Sequence, residues 1–242
     1  MPNLQNSSQY RSVNGFPFTL SGAALLALPS GALWWPEHEL LCVSDLHLGK
    51  AERISRKGGA NLPPYEIQDT LSRLERDLEQ TSARTVICLG DSFDDLSAER
   101  AFPEDAQLWI ARLQAGRRWI WIEGNHDPGP IHLGGQHMAE FACAPLLFRH
   151  IANPASSGEV SGHYHPKAQV SLRGRARSFA CFLLDETRLI LPAYGTYTGG
   201  LRCDHPTLDR LINKPGLAIL TGKSAQPIPM PVSYTHLRAH ET

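Results

Sequence analysis

The sequence predicts a single α/β domain over residues 1–231, and three observations predict it. The first half alternates short apolar runs with amphipathic charged stretches in a βαβαβ pattern. The second half is rich in strand-like runs with little helix between them. No linker-like stretch and no internal repeat divides the chain. At 242 residues it is long enough to bury a sizeable core.

Taken in order, FPFTL (16–20), GALWW (31–35) and ELLCV (39–43) read as an opening β-meander punctuated by Pro and Gly. YEIQDTLSRLERDLEQ places Ile67, Leu71, Leu74 and Leu78 at helical spacing with charges on the other face. TVICLG is a short buried strand ending at Gly90, and PEDAQLWIARLQA, with Pro103 near its start, is a second helix. RRWIWIEGN is a strand ending at Gly124, its WIWI run belonging to the core. APLLFRH, GEVSGHYH, SFACFLLD and RLILPAYG follow as strands, then PTLDRLIN as a short helix and LAILTG as a last strand. A Pro-rich segment, QPIPMPV, closes the chain. From residue 232 onward VSYTHLRAHET shows neither period, so 232–242 reads as a non-native or disordered tail, and His236 and His240 leave the count of metal-capable residues.

Hydrophobic content of 42% with 19% charged residues is ordinary for a soluble globular protein. A formal net charge of −1 gives no global attraction for nucleic acid or acidic lipid, so an anionic substrate must be drawn in locally. Cys42, Cys88, Cys143, Cys181 and Cys203 are odd in number, widely spaced and without a CxxC, and read as reduced core residues of a cytoplasmic protein. The polar N-terminus and the short run AALLALP, broken by Pro29, do not read as a signal peptide. No segment approaches the roughly 20 apolar residues of a membrane span.

The chemistry collects at strand ends. After ELLCV come Asp45 and His47, which in an extended chain would face the same side. After TVICL comes Gly90-Asp91, and after WIWIE comes Gly124-Asn125-His126-Asp127. LLFR ends at His150, and EVS runs into Gly162-His163-Tyr164-His165. Each piece alone has a plain structural reading: Asp45 and Asp91 as caps or turn residues, Asn125 as a turn start, His150 as a core histidine. Their joint recurrence on five successive strands has no such reading. Two carboxylates, an amide oxygen and four imidazoles suffice for two adjacent divalent ions with one aspartate shared. Four positive charges against two carboxylates leave a local excess suited to a phosphate oxygen.

Asp45-x-His47, Gly90-Asp91, Gly124-Asn125-His126-Asp127, His150 and Gly162-His163-x-His165, in that order over about residues 39–165, resemble the signature of the calcineurin-like metallophosphoesterases. SDLHLGKAE, the GG-x-LPPYE segment at 58–66, CLGDSFDD, WIEGNHDPGP, FRHI, SGHYHPKA and LPAYGTYTGGL further resemble the bacterial ligase-associated DNA-damage-response phosphoesterases. The resemblance implies a two-sheet β-sandwich flanked by helices (αββα). It implies one metal on Asp45, His47, Asp91 and His165, and a second on Asp91, Asn125, His150 and His163. His126 would protonate the leaving oxygen, with Asp127 beside it to orient the imidazole. Mixed nitrogen and oxygen ligation without thiolate suits Mn2+, with Fe or Zn as alternatives. The activity implied is that of a metal-dependent phosphodiesterase or endonuclease on DNA or another phosphodiester, in DNA repair with a ligase or helicase partner. A phosphomonoesterase or nucleotide pyrophosphatase using the same metals, or a non-catalytic repair scaffold, fits the same residues.

Further residues extend this reading toward substrate. Lys50 stands near the DLH motif and is able to steady a phosphate; Asp94 and Asp95 read as carboxylates behind the ligands or as a helix cap. Lys167 to Arg177, including Arg173 and Arg175, reads as a basic hairpin beside the site, either tracking a nucleic-acid backbone or simply solvated. Tyr194 and Tyr197, in AYGTYTGG, are candidates for base stacking or for packing.

Overall fold

A computed structural model of the chain describes residues 14–230, apart from 57, 59–62, 64, 95–101, 130–131 and 173–174. Asp95, Arg173, most of the 58–66 segment and the 232–242 tail lie outside the described residues, as does the side chain of Arg175. One sheet holds β1 (Phe16–Leu20), β2 (Ala23–Ala27), β3 (Leu33–Trp35), β4 (Leu40–Val43), β5 (Thr85–Leu89), β6 (Arg118–Ile122) and β7 (Gln136–Met138), in that spatial order. β1 to β4 form an antiparallel meander, the expected FPFTL, GALWW and ELLCV strands with β2 added between the first two, and β4 to β7 run parallel. The second sheet holds β8 (Glu140–Cys143), β9 (Leu146–Arg149), β10 (Glu159–Ser161), β11 (Lys167–Leu172), β12 (Arg175–Leu184), β13 (Arg188–Ile190), β14 (Leu217–Leu220) and β15 (Gln226–Pro229). Its order is β8-β9-β10-β13-β12-β14-β15, with β11 paired to β12 as the hairpin read from the sequence.

Among the described residues the α-helices are α1 (Lys50–Arg56), α2 (Glu66–Thr81), α3 (Glu104–Gln114) and α4 (Pro206–Leu211). The period-2 geometry of the strands explains how they stack. Cys42, Ile87 and Ile120, in one hydrogen-bonded row, point with Leu89 and Ile122 into the space between the sheets, where they meet Phe148, Val160, Phe182, Leu189 and Ile219. Their neighbours Leu41, Val86 and Trp119 point the other way, under Leu71, Leu74 and Leu78 of α2 and Ile110 and Leu113 of α3. The outer face of the second sheet carries Cys181, Leu183 and Ile190 against Leu208 and Leu211 of α4. Two sheets face to face with helices outside each is the αββα arrangement. Strands buried on both faces have no polar side to show, which is why TVICL and WIWI read as unbroken apolar runs.

Several elements left no clear trace in the sequence. β2 lacks apolar-polar alternation because four of its five residues are buried. α1 is a seven-residue charged helix without an apolar stripe. β15 carries Pro227 and Pro229 and looked like a closing loop, yet it is an edge strand, where a missing N–H is tolerated. β7 and β8 are short and only half-buried.

The α2 contact is the simplest to test. Leu74→Ala removes a side chain only 1% exposed, and stability should fall by about 2–5 kcal/mol, read as a lower urea midpoint at an unchanged slope.

Candidate metal centre

The carboxyl ends of β4, β5 and β6 in one sheet, and of β9 and β10 in the other, open on a common edge, where loops rather than strands hold the chemistry. β4 stops at Val43, and Asp45 and His47 then take left-handed backbone with φ of 53° and 44°. Asp91 (46°), His163 (68°) and His165 (47°) do the same. Each such turn costs a non-glycine residue roughly 1–2 kcal/mol; strain of this kind gathers where side-chain placement outweighs local comfort. The loops are laced together: Asp45 N–H donates to the Gly90 carbonyl at 3.2 Å and His47 N–H to the Asp91 carbonyl at 2.9 Å. His163 N–H donates to Asp45 Oδ2 at 2.9 Å, tying the second sheet to the first. Glycine makes this approach feasible. A Cβ on Gly124 would overlap the Asp91 backbone nitrogen and carboxylate, and one on Gly162 would overlap the Ser44 hydroxyl.

Two clusters result. Asp45, His47 and His165 place one donor atom each within 4.8 Å of one another, and Asp91, His150 and His163 do likewise. Asn125 joins the second cluster, its Oδ1 3.0 Å from His150 Nε2. The same Nε2 lies 3.4 Å from Asp91 Oδ2. His163 and His165 thus go to different clusters; β10 ends at Ser161, so strand alternation does not govern them. Asp45 and His47 do converge, but through left-handed turns rather than through extended pairing.

The donor chemistry fits cations. His150 Nδ1–H donates to the Leu89 carbonyl at 3.0 Å, which aims the Nε2 lone pair at two oxygens. Asp45 Oδ1, both ring nitrogens of His47 and Nε2 of His165 are buried without a hydrogen-bond partner in the protein. Leaving such groups unpaired costs about 1–3 kcal/mol each, and a divalent ion would satisfy Asp45 Oδ1, His47 Nε2 and His165 Nε2 together, with His47 Nδ1 facing the Asp94 carboxylate. Titration behaviour reflects the same crowding. Burial opposes ionisation of Asp91, but the hydrogen bond and charge of His150 outweigh it and hold the carboxyl at about 2. Burial would depress His150, yet Asp91 and Asp45 push it up to about 9. His163 is lowered by burial and by the neighbouring His150 charge.

Comparison with known proteins decides the family. The calcineurin-like phosphoesterase family model matches residues 38–208, a span holding every residue of both clusters. This chain belongs to the calcineurin-like phosphoesterases. The crystal structure of the Pseudomonas putida nuclease MPE is similar at a TM-score of 0.70 with 31% identity, covering 89% of this chain and 100% of that one. No curated protein matches significantly. The protein is therefore a phosphoester-hydrolysing enzyme of a family that uses divalent metals, and its two sheets follow the fold of that neighbour.

Around the clusters, the phosphoesterase departs from the sequence reading in three places. His126 is not held by Asp127. Its backbone N–H donates to Asp91 Oδ1 at 2.8 Å, and its ring Nδ1 meets the Asp94 backbone carbonyl at 2.9 Å. Asp127 is buried and turns the other way, accepting the backbone N–H of Ser92 at 2.7 Å and of Phe93 at 3.1 Å. Burial raises its pKa to about 6, with those N–H groups offsetting only part of the effect. It braces the loop that presents Asp91. Tyr194 is fully buried, donates its hydroxyl to Asp77 Oδ2 at 2.8 Å, and cannot stack on a base. Lys50 is drawn to Asp94 at 3.8 Å instead of standing free for phosphate.

Asp94 is the residue that sequence reasoning undervalued. Its buried Oδ1 lies 3.0 Å from His47 Nδ1, close but off the line of a hydrogen bond, and Arg53 anchors its Oδ2. Burial opposes its ionisation, and His47, Lys50 and Arg53 together lower its pKa nonetheless. A carboxylate behind a metal-capable imidazole fixes the ring and raises its basicity. Asp94→Asn should weaken metal binding by about 10–100-fold, measured by calorimetric titration. Gly162→Ala should all but abolish metal uptake in the same assay while the protein remains folded by circular dichroism, since its Cβ intrudes on the Ser44 hydroxyl and Asp45 Oδ2 rather than on the apolar core.

Proposed function

We propose that this enzyme is a dimetal phosphodiesterase that cuts nucleic acid within the chain. The observation that carries the reading is the setting of the two clusters between open cavities. One, of about 240 Å³, opens at His165, and another, of about 300 Å³, opens at Asn125 and His150. A terminal phosphate needs room on one side only, whereas an internal phosphodiester needs it on both. The similar P. putida protein is itself a nuclease, which supports the same substrate class here. Action in DNA repair beside a ligase or helicase, in the cytoplasm, is our reading from the resemblance of the sequence and from cysteines that suit a reducing compartment.

In this reading Asp45, His47 and His165 hold one ion, and Asn125, His150 and His163 the other, with Asp91 shared. Mn2+ is the metal we assign, on the all nitrogen and oxygen donor set. Bound there, two divalent ions would supply charge stabilisation to the phosphoryl oxygens and a nucleophile at neutral pH. The chain does the rest. The Asp94 carbonyl can only accept, so His126 carries a proton on Nδ1 and turns Nε2 toward the centre. That Nε2 lies 4.0 Å from Asp91 Oδ2, and in this reading it donates its proton to the departing oxygen. His126 is about one-third exposed, enough for it to be reprotonated from solvent between turnovers.

Purified enzyme with Mn2+ should hydrolyse bis-(p-nitrophenyl) phosphate and a single-stranded oligonucleotide faster than a phosphomonoester, and a chelator or Asp91→Asn should stop both. His126→Ala should cut kcat by about 10²–10⁴-fold with bound metal unchanged by elemental analysis. Metal lost in step with activity would move His126 from proton donor to ligand.

A further inference from the structure

The cavity at His165 contains groups that the reaction itself does not require. Its walls include Lys167, Tyr197, Thr198 and Arg73. Ser30, Arg73 and Thr221 also line a larger cavity of about 450 Å³, which adds Arg76, so a trough with basic residues along it leads away from the centre. Resting on the nucleic-acid reading above, we propose that this cavity is a nucleotide subsite. Lys167 takes the backbone phosphate next to the one being cut, and Tyr197 stacks on the attached base.

Lys167 follows His165 by two residues and opens β11. Its Nζ donates only to the neutral Thr198 carbonyl, at 3.1 Å, and among the described residues no carboxylate pairs with it. Its charge is therefore available to an incoming phosphate. Arg73 differs: Asp69 at 3.2 Å and Thr196 at 3.0 Å engage it, and it lies 4.8 Å over the Tyr194 ring, so it acts as a wall. Tyr197 is 39% exposed, whereas Tyr194, three residues earlier, is fully buried. Its backbone is left-handed at φ 64°, a conformation costly for an aromatic residue and shared with the five histidines and aspartates of the clusters described above.

The loop that bears Tyr197 is fixed to the centre at both ends. Gly195 N–H donates to the Asp45 carbonyl at 3.0 Å and Leu201 N–H to the Tyr164 carbonyl at 3.1 Å. Gly195 and Gly200 press so closely on the Leu46 and His165 carbonyls that neither tolerates a Cβ. A ring mounted this way keeps its position relative to the reacting phosphate, and a stacked base gives up less freedom on docking. Stacking does not distinguish bases, so the subsite grips the strand without demanding a sequence.

The test uses Mn2+-loaded enzyme and a hydrolysis-resistant phosphorothioate oligothymidylate, with binding read by fluorescence anisotropy across a salt series. Lys167→Ala should lower the slope of log affinity against log salt by about 0.7, the value for one phosphate contact on a single strand. Tyr197→Ala should weaken binding by about 5–150-fold at an unchanged slope, and Tyr197→Phe should restore most of it. On the cleavable oligonucleotide both alanine variants should raise KM far more than they lower kcat. Wild-type slope and affinity in both variants, or losses matched by falls in bound metal or thermal midpoint, would overturn the subsite. Wild-type enzyme that hydrolyses bis-(p-nitrophenyl) phosphate yet neither binds nor cuts the oligonucleotide would overturn the nucleic-acid reading, and the subsite with it.

Discussion

Crowding like-natured donors into one small volume is the constraint that the rest of this structure answers to. Asp45 Oδ1 and His165 Nε2 sit buried 2.9 Å apart with the His47 ring beside them, and His150 Nε2 is crowded against Asn125 Oδ1 and Asp91 Oδ2 at 3.0–3.4 Å. Left to themselves these groups would spread apart or take up protons, as the upward shift of His150 shows. What keeps them together is the stiffness behind them. The cores between the sheets and under α2 and α3 fix the strand directions, and a close-packed interior transmits rather than absorbs the strain of the edge. Left-handed turns at five positions, and glycines at 124 and 162, then convert parallel strand ends into converging ones.

Much of this was legible in the sequence because the constraint acts on residue identity. A parallel strand buried on both faces must be apolar throughout, and a loop that presents a ligand must spend an Asp, Asn or His at a fixed distance from its end. Hence TVICL followed by Gly90-Asp91 declares both fold and chemistry. Elements that answer to weaker constraints were silent. α1 owes its place to Arg53 and Lys50 reaching Asp94, a contact with no period to read. β15 needed only one hydrogen-bonded side, so its prolines misled.

The misread side chains have a common cause. Asp127 was paired with His126 because the two are adjacent, yet at a turn successive side chains diverge, and the partner of the imidazole is a backbone carbonyl, which every residue carries and no sequence advertises. Tyr194 and Tyr197 are indistinguishable as letters between glycines. What separates them is Asp77, far off on α2, waiting to accept one hydroxyl and so drawing that ring into the core. Burial raises the pKa of Asp77 as well. Long-range partners of this kind are fixed only when the sheets have closed.

The two clusters are not equivalent, and the difference lies one layer behind the donors. His47 is backed by the Asp94 carboxylate at 3.0 Å, itself neutralised by Arg53 and Lys50, while His150 Nδ1 donates to the Leu89 carbonyl, with the Asp45 carboxylate 4.0 Å from that nitrogen. A carboxylate behind an imidazole makes it a stronger electron-pair donor than a carbonyl does. The second cluster also includes an amide oxygen from the exposed Asn125, where the first has only buried or half-buried carboxylate and imidazole donors. On the ligand assignment proposed here, the ion at Asp45, His47 and His165 is therefore the more firmly held. An ion at Asn125 and His150 would lie beside the more open wall, where a phosphate exchanging with solvent would meet it first.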